Sequence, residues 1–419
     1  MMNGSKRTPD GAPPIIPEVG ILALTGAPSE VNGIMQTRHQ LLPRLAHYFP
    51  VVWMNPAWEW RVHLANRGNR PDGRRTRRVH AGLDVYEPEW WLPALYRPAS
   101  LGRWIADQHV ARGLKMLARR GCTTTILSVW REQYAREALH FDETVGGLRY
   151  YHVDDEYTFS DEERPIPPSE QILLETSNRV FLHSPALVAK KGAINPRTVF
   201  SPNGVDYAAF STPGAEPEDL RSIPHPRIGY TGWLKKQLDF ELIEAVAKAA
   251  PHLQFVFVGG VVPSHTLENE LGRLQALPNV HLLGQKNTTE LARYPHHFDV
   301  CFLPYARTAY TNYIYPLKLH EFLATGLPVV GTSIRTLQDF GDLIELADDP
   351  ANVVAAFERS LREAGADSAG REARQEEARR HDWESLAANI ALAMAEDLGP
   401  TYAERLVAGG VRPSPPPTR

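Results

Sequence analysis

The sequence is poor in cysteine, in long apolar runs and in net charge, and each shortage excludes a class of protein. Cys122 and Cys301 are the two cysteines among 419 residues. They are too few for a disulfide framework and lack metal-ligand spacing, so we expect a reducing compartment. No apolar run reaches the roughly 20 residues that cross a bilayer. A formal net charge of −4 gives no general attraction for nucleic acid.

Two N-terminal signals are also missing. Prolines at positions 13, 14 and 17 interrupt the apolar segment near the N-terminus, so we interpret Ile21 to Gly26 as a first buried strand rather than a signal peptide. No G-x-G-x-x-G follows that strand with an acidic residue about 20 positions later, which argues against a dinucleotide-dependent dehydrogenase. We therefore expect a cytoplasmic protein, with the inner face of the membrane as a second possible location.

What the sequence does contain is a regular alternation of short apolar runs and amphipathic stretches. This alternation predicts repeated βα units, and the length predicts an α/β protein with two Rossmann-like doubly wound domains facing across a cleft. Parallel sheets bind ligands at the carboxyl ends of their strands, so the cleft is the expected active site. The predicted strands cover residues 20–24, 50–55, 123–129, 149–153, 179–184, 227–232, 254–260, 279–284, 299–305 and 327–332, and the predicted helices include 37–49, 103–121, 238–250, 316–326 and 382–398.

Composition shifts predict the domain boundaries. Pro-rich, polar ends favour disorder, and a Pro- and Gly-containing connection separates the two series of strands. The predicted segments are a disordered N-terminus (1–15), an N-terminal domain (16–205), a linker (206–225), a C-terminal domain (226–380), a helix that packs back on the N-terminal domain (381–399) and a disordered tail (400–419).

The segment YPLKLHEFLATGLPVVGT (Tyr315 to Thr332) combines a helix start with two charged side chains. Pro316 suits the first helical position and Gly326 the left-handed residue past the end. The free N–H groups of a helix start attract an anion such as a diphosphate, and Lys318 adds positive charge there. Glu321 lies one turn deeper on the same face, where it can accept hydrogen bonds from both hydroxyls of a ribose. The alternative is a solvated i,i+3 ion pair on an ordinary helix.

The same segment resembles the donor domain of GT-B glycosyltransferases. Glu321, FLAT, Gly326 and the following LPVV are similar to the pattern of retaining family 4 and its relatives in bacterial envelope polysaccharide synthesis, including teichuronic-acid-type transferases. SPNGVDYAAF (Ser201 to Phe210) and NVHLLGQKNTTELARYPHHFDVCFLP (Asn279 to Pro304) resemble two further stretches of that family. The resemblance covers about residue 145 to residue 397.

This resemblance implies a GT-B fold and a retaining, hexosyltransferase-type enzyme of cell-envelope polysaccharide or glycoconjugate synthesis. The implied donor is a nucleoside-diphosphate-sugar (UDP-, GDP- or similar), and the implied acceptor is a sugar, a lipid-linked molecule or a small molecule. The N-terminal domain then holds the acceptor and the C-terminal domain the donor, with no cofactor, no bound metal and no nucleic acid partner. A nucleotide-sugar 2-epimerase and a non-catalytic nucleotide- or sugar-binding GT-B protein are the alternatives.

The resemblance also implies roles for individual residues on the donor side. It assigns the ribose to Glu321 and places the base near Gly284. Trp233 stands where the family has an arginine, so Lys235 or Lys236 is expected to neutralise the diphosphate; two surface lysines in a loop are the alternative. The full set of predicted donor-binding residues is Gly232, Lys235, Lys236, Gly284, Gln285, Lys286, Tyr315, Leu317, Lys318 and Glu321.

One family feature is missing next to that helix. A glutamate that touches the transferred sugar in many family members is replaced here by Tyr313. We therefore expect the loop YARTAYTNYIYP (Tyr305 to Pro316) to hold the sugar differently, with Arg307 and Tyr313 as sugar contacts.

The acceptor side is predicted from two loops. Gly33 permits close backbone approach after the first strand, and the resemblance then turns Arg38 and His39 towards the cleft. Asp154 and Asp155 follow a later strand and are candidates for activating the acceptor or stabilising charge on the sugar. For His39 the alternative is a structural histidine. For Asp154 and Asp155 the alternative is a solvated or capping acidic turn, and a divalent metal site is a weaker alternative.

An arginine-rich segment lies beside tryptophans. RVHLANRGNRPDGRRTRRVH (Arg61 to His80) holds seven arginines, and Trp58, Trp60, Trp90 and Trp91 flank it. Basic charge beside tryptophan suits an anionic membrane surface or a lipid-diphosphate acceptor. A flexible, solvated loop is the alternative, so peripheral membrane contact through this region is a hypothesis.

Overall fold

The computed structural model describes residues 12–29, 36–57, 76–95, 97–153, 165–262, 267–363 and 367–414. The strands are β1 (Val19–Leu24), β2 (Val51–Met54), β3 (Thr76–His80), β4 (Leu83–Tyr86), β5 (Thr124–Val129), β6 (Leu148–His152), β7 (Arg179–Leu182), β8 (Thr198–Phe200), β9 (Arg227–Thr231), β10 (Gln254–Val258), β11 (Val280–Leu282), β12 (Val300–Leu303), β13 (Val329–Gly331) and β14 (Glu345–Leu346). The helices are α1 (Thr37–Leu45), α2 (Ala99–Arg119), α3 (Ala135–Thr144), α4 (Pro168–Thr176), α5 (Pro185–Lys191), α6 (Tyr207–Ser211), α7 (Phe240–Ala249), α8 (Glu268–Gln275), α9 (Thr288–Leu291), α10 (Leu317–Thr325), α11 (Arg335–Gln338), α12 (Pro350–Glu363), α13 (Ser368–Arg380), α14 (Trp383–Leu398) and α15 (Pro400–Ala408).

The strands form two separate sheets. The first has the order β3-β4-β2-β1-β5-β6-β7-β8, and the second has the order β11-β10-β9-β12-β13-β14. Within the described residues, every pairing of these strands is parallel apart from that of β3 with β4. Two such sheets, each with helices between its strands, confirm the predicted α/β fold class of two Rossmann-like domains.

Helices cover both faces of the first sheet, which explains why its strands are continuous apolar runs. Ile21 of β1 lies opposite Val51 of β2 and Ile126 of β5, and all three belong to the core on one face. The neighbouring Leu22 belongs to the core on the other face, together with Leu117 of α2. Successive side chains of one strand therefore enter different cores, so both faces must be apolar.

The strands that the apolar pattern did not predict are β3, β4, β8 and β14. Three of them lie at sheet edges, where one side of the strand has no neighbouring strand. The residues of β3 read TRRVH, and arginines on an edge strand hinder pairing with another sheet. Edge strands need fewer apolar residues than central ones, so they leave a weaker periodic signal.

Helix α14 returns to the N-terminal domain. Trp383, Ile390 and Met394 of this helix share a core with Ile21. At its C-terminal end Asp397 accepts a hydrogen bond from the Tyr150 hydroxyl at 2.9 Å. The helix therefore contributes to the hydrophobic core of the first domain.

The prediction of a disordered tail over 400–419 is wrong for residues 400–414. Helix α15 buries Leu406 completely, and Val411 after it is also buried. Arg405 forms an ion pair with Glu18 and donates to the carbonyl oxygen of Ile15 at 3.2 Å. The proline content of the last residues suggested disorder, whereas this apolar face finds its partner at the other end of the chain.

The longest helix in the described ranges is α2, with 21 residues. Its sequence mixes apolar residues with arginines, a lysine and an aspartate. Across the described ranges, no helix has both the length and the apolarity needed to cross a membrane.

Candidate functional site

A cavity of about 1100 Å³ lies between the two domains. Its wall is formed at the carboxyl ends of strands from both sheets, where a doubly wound fold places its ligands. The N-terminal domain contributes Gln36, Thr37, Arg38, Trp130, His152, Phe181, His183 and Ser201 among others, and the C-terminal domain contributes Tyr230, Gly232, Trp233, Lys235, Lys236, Gly260, Gln285, Lys286, Tyr305, Tyr315, Leu317, Lys318 and Glu321 among others.

Helix α10 begins at the cavity wall. Pro316 is its N-cap, with φ −65° and ψ 119°, so the helix starts at Leu317, one residue later than predicted. Gly326 ends it in the left-handed conformation, with φ 75°. The Arg374 guanidinium donates to the Gly326 carbonyl oxygen at 3.0 and 3.1 Å and so supplies hydrogen-bond donors at the C-terminal end of α10. Because Pro316, Leu317 and Lys318 line the cavity, the positive end of the helix faces it.

Lys318 and Glu321 form an ion pair inside this cavity. The Lys318 Nζ lies 2.8 Å from the Glu321 Oε2, and the two side chains are only 18% and 15% exposed. The pair is therefore not the solvated surface pair of the alternative interpretation. Burial raises the pKa of the Glu321 carboxyl, and the neighbouring Lys318 offsets part of that rise. Such a shielded carboxylate favours additional hydrogen-bond donors, which a ribose diol can supply.

Gly232 allows the lysine to reach this position. The glycine follows β9 with a φ of +140°, and a Cβ atom there would lie 2.7 Å from Lys318 Cε. A side chain at Gly232 would therefore collide with the lysine stem. The close approach joins the end of β9 to the first turn of α10.

Trp233 occupies the side of the cavity next to β10 and β11. A Cβ atom on Gly260 would lie 3.0 Å from the Trp233 Cζ3 and 3.3 Å from the Gln285 Cβ, so these three residues are in close contact. Lys235 and Lys236 follow in the same loop and also line the cavity. The tryptophan ring is therefore turned towards the strand ends where Gln285 lies, and the lysines supply the positive charge of this loop.

Lys286 is held in place at the edge of the cavity. Its Nζ lies 2.7 Å from the Asp219 Oδ2, and this hydrogen bond raises the pKa of the lysine. The Tyr294 hydroxyl donates to the same carboxylate at 2.8 Å. Asp219 belongs to the segment predicted as a linker, which therefore contributes to the support of the donor side.

His152 is a cavity residue that the sequence patterns did not single out. Its ring is stacked between Trp130, with centroids 4.1 Å apart, and Phe181, with centroids 4.6 Å apart. Burial lowers the pKa of His152 to about 3, so the imidazole is neutral at physiological pH. Its Nε2 is buried without a hydrogen-bond partner among the described residues. A buried polar atom on a cavity wall is placed to bond a ligand. The available signal was its position at a strand end, two residues before Asp154.

Asn203 of the SPNGVD segment connects the two domains. Its side-chain nitrogen donates to the Tyr315 carbonyl oxygen at 2.7 Å, and its side-chain oxygen accepts from the Thr37 hydroxyl at 2.5 Å. The Tyr315 ring is buried, and its hydroxyl lies 2.9 Å from the Nε2 of His320 and 3.1 Å from that of His381. Asn203 thus connects the start of α1, on the acceptor side, to the residue that precedes α10, on the donor side.

Four predicted site residues do not line the cavity. The His39 Nδ1 accepts a hydrogen bond from the Gln36 N–H at 3.2 Å, and its Nε2 donates to the Pro28 carbonyl oxygen at 3.0 Å. With both ring nitrogens bonded to nearby backbone, this geometry favours the structural alternative. Burial lowers the pKa of His39. The other three are Arg307, which lies 3.2 Å from Asp348, Tyr313, whose ring lies 5.0 Å from Lys190 Nζ, and Gly284, which has a φ of +70°.

Several predictions fall on residues outside the described ranges. They are Gly33, Asp154 and Asp155 of the acceptor side, together with Trp58, Trp60 and residues 61–75 of the arginine-rich segment.

The two domains, with a cavity at their facing strand ends, define the class as the GT-B fold. The chain is similar to the Anabaena protein HepE, solved in complex with UDP and glucose, with a TM-score of 0.64 and 14% identity over 90% of this chain and 100% of that one. It is also similar to an α,α-trehalose-phosphate synthase (UDP-forming) from Burkholderia vietnamiensis, with a TM-score of 0.59 and 16% identity over 90% and 99%. At these identities the likeness shows the fold, which confirms the predicted GT-B architecture.

The C-terminal domain matches a known glycosyltransferase family. The family described as Glycosyl transferases group 1 matches residues 225–363, from two residues before β9 to the end of α12. The chain is also 34% identical over 193 residues to TuaH of Bacillus subtilis (strain 168), which is named as a teichuronic acid biosynthesis glycosyltransferase. That match covers 44% of this chain and 47% of the relative, so about half the length of TuaH is spanned. These two matches confirm the resemblance stated from the motifs.

Proposed function

We propose that this chain is a glycosyltransferase that uses a UDP-sugar donor and an acceptor bound by the N-terminal domain. The observation that carries the proposal is the shielded Lys318–Glu321 pair at the start of α10, inside the interdomain cavity. UDP as the nucleotide is supported by the two structural neighbours, one in complex with UDP and glucose and the other UDP-forming. The group 1 match over the donor domain favours transfer over 2-epimerisation.

In this proposal the donor lies along the C-terminal side of the cavity. The ribose hydroxyls donate to Glu321, and the diphosphate occupies the N-terminal end of α10. Lys318, Lys235 and Lys236 neutralise the charge that develops on the diphosphate as the sugar leaves, so protein cations do the work that a metal ion does elsewhere. The base lies towards Gln285.

The sugar then faces the strand ends of the N-terminal domain. His152 is neutral there, so it can hydrogen-bond a sugar hydroxyl without placing a charge beside the reacting carbon. Arg38 lines the same wall. Asp154 and Asp155 remain predictions for the acceptor, and retention of the anomeric configuration is part of the proposal rather than a consequence of this geometry.

A nucleotide panel tests the donor assignment. We expect UDP to raise the melting temperature of the full chain more than GDP or ADP does, and a UDP-sugar to be hydrolysed slowly without acceptor. Glu321→Ala should remove the protection, whereas the matched control Glu363→Ala, an exposed glutamate of the same domain, should keep it. EDTA should leave the hydrolysis unchanged. If none of the three nucleotides protects the wild type, the proposal fails.

The same experiment separates the alternatives. An epimerase releases the 2-epimer of the sugar nucleotide, which chromatography of the reaction mixture detects. A non-catalytic binding protein is protected by UDP and leaves every UDP-sugar intact. A transferase releases free sugar and UDP when no acceptor is present. It forms a glycosylated product once the acceptor is supplied.

We further propose an acceptor from envelope polysaccharide synthesis and a site of action at the inner face of the membrane. The acceptor is supported by the name of TuaH, which places that relative in teichuronic acid biosynthesis. For membrane contact through Arg61–His80, Arg77 and Arg78 of β3 are the described arginines. Reversing the charge of both should weaken co-sedimentation with anionic liposomes, and unchanged co-sedimentation would contradict contact through β3.

A further inference from the structure

We infer that a second surface of the N-terminal domain docks on an anionic phospholipid bilayer. This surface, the tryptophan face, consists of Trp90 and Trp91 from the loop after β4 and of Leu101 and Trp104 from α2. Docking through this surface turns the cavity towards a lipid-linked acceptor in the membrane. The lipid-linked acceptor rests on the proposed function, whereas bilayer binding does not.

The tryptophan face is unusually exposed for its composition. Trp90, Trp91, Leu101 and Trp104 are 43%, 49%, 42% and 51% exposed. Among the described residues they are four of the eight large apolar side chains that are exposed, and they lie within fifteen positions of one another. An apolar patch of this kind on a folded domain marks an interaction site more often than chance.

The loop that carries two of the tryptophans is fixed along α2. Glu89 forms an ion pair with Arg112 at 2.8 Å, and the Leu92 carbonyl oxygen lies 3.1 Å from the His109 Nε2. Further along, a Cβ atom on Gly102 would lie 2.1 Å from the Leu95 carbonyl oxygen. The loop therefore runs antiparallel to the helix and in contact with it. The tryptophans are held on a rigid support rather than on a free loop.

Charge beside the tryptophan face favours an anionic occupant. Residues 97–120 contain six arginines or lysines and a single acid, Asp107, which forms an ion pair with Arg136 at 2.9 Å. Four of these cations, Arg97, Arg103, Lys115 and Arg119, are exposed. The chain as a whole is acidic, with a net charge of −4, so this basic charge is local. Tryptophan with arginine and lysine on an amphipathic helix is the composition of an interfacial membrane anchor.

The position of the face connects it with the cavity. The loop follows the carboxyl end of β4, which is the edge of the sheet where the cavity opens. In the sheet order, β4 is three strands from β5, whose following residue Trp130 lines the cavity, so the two strands are separated by about 14 Å. A bilayer against the tryptophan face therefore lies at the edge of the N-terminal sheet on which the cavity opens.

Vesicle binding of the full chain tests this inference. We expect strong co-sedimentation with phosphatidylcholine vesicles that contain phosphatidylglycerol, weak co-sedimentation with phosphatidylcholine alone, and quenching of tryptophan emission by brominated lipid in the anionic vesicles. Trp90→Ala with Trp104→Ala should reduce the partition coefficient by at least about tenfold and abolish most of the quenching. Arg103→Glu with Arg119→Glu should reduce it by about fivefold or more per residue.

Matched variants separate the face from general effects. Val145→Ala with Val407→Ala removes exposed apolar side chains elsewhere, and Arg221→Glu with Arg362→Glu makes the same change of charge on the C-terminal domain. Both control pairs should bind anionic vesicles like the wild type. Equal binding to neutral and anionic vesicles, wild-type binding by the tryptophan pair, or binding to a duplex oligonucleotide in place of vesicles would each overturn the inference.

Thermal protection by UDP, measured on every variant without vesicles, keeps the two proposals apart. It should be unchanged because none of these residues lines the cavity. A wild type that UDP protects but that does not bind anionic vesicles would reject docking on the bilayer alone. A wild type that binds anionic vesicles but gains no thermal protection from UDP would reject the UDP-sugar donor and leave docking on the bilayer standing.

Discussion

Glu321 is a carboxylate shielded from water with one cation beside it, and its raised pKa reflects that shielding. A donor ribose would supply two hydrogen bonds to the ionised group. We expect Glu321→Ala to weaken UDP binding by about 3 kcal/mol or more, because two charge-assisted hydrogen bonds of roughly 1.5–3 kcal/mol each are lost. The free energy of unfolding without nucleotide should hardly change. Calorimetric titration with UDP measures this, and an unchanged affinity would show that the ribose lies elsewhere.

His152 allows activity to be separated from donor binding. We expect His152→Ala to lower the rate of UDP-sugar hydrolysis by about a hundredfold, the usual effect of losing one pre-organised hydrogen-bonding group. Because the residue lies on the acceptor domain, UDP affinity should stay within about twofold. His152→Gln, which keeps a hydrogen-bonding group, should recover part of the rate. Equal hydrolysis rates in the wild type and His152→Ala would show that the histidine takes no part in the reaction.

The low pKa of His152 also has a consequence for stability. Its pKa is about 3 in the folded chain against an ordinary value of 6.5. Between these two values the unfolded chain binds a proton that the folded chain does not, so the free energy of unfolding falls as the pH decreases from 6.5 towards 3. Urea denaturation between pH 7 and pH 4 should show a smaller fall for His152→Gln than for the wild type. Parallel pH profiles for the two proteins would mean that the His152 ring has the same pKa in the folded and the unfolded chain.

At the level of elements, α10 depends on how it ends. Gly326 has a φ of 75°, and a Cβ atom there would lie 2.6 Å from the Arg371 Cγ. We expect Gly326→Ala to lower the free energy of unfolding by about 1–2 kcal/mol through the left-handed backbone alone. Gly272, inside α8 with open space around it, is the control. Gly272→Ala should raise the free energy of unfolding by about 0.5–1 kcal/mol. Urea denaturation measures both, and a neutral Gly326→Ala would contradict the helix end described.

For the whole molecule, Asp397 joins helix α14 to the first domain through polar contacts. The Asp397 carboxylate is 1% exposed, binds the Tyr150 hydroxyl and forms ion pairs with Arg179, at 2.7 Å, and Arg197. We expect Asp397→Ala to lower the free energy of unfolding by about 3 kcal/mol, because two arginines and a hydroxyl lose a buried partner. Glu396→Ala is the control, since that side chain is 63% exposed and lies 3.7 Å from Arg179. Its change should stay below about 0.5 kcal/mol. Equal effects of the two substitutions would mean that the helix is held by apolar packing alone.

The sequence by itself determined the features that neighbouring residues encode. Apolar runs predicted the central strands because both faces of a parallel sheet are buried, and Pro316 and Gly326 predicted the ends of α10 because each backbone is suited to its position. The spacing of Lys318 and Glu321 predicted that both lie on one helix face, since three residues make almost one turn. Short-range geometry of this kind can be worked out without knowing the rest of the fold.

The tertiary structure alone decided what depends on residues far apart in the chain. The His152 ring at the cavity wall is enclosed by Trp130, which follows β5, and by Phe181 of β7. Asn203 contacts both domains, and α15 packs beside the first residues of the chain, although the proline-rich end of the sequence suggested a disordered tail. No local pattern encodes these contacts, because the partner that makes each one favourable is brought near only by the folding of both domains.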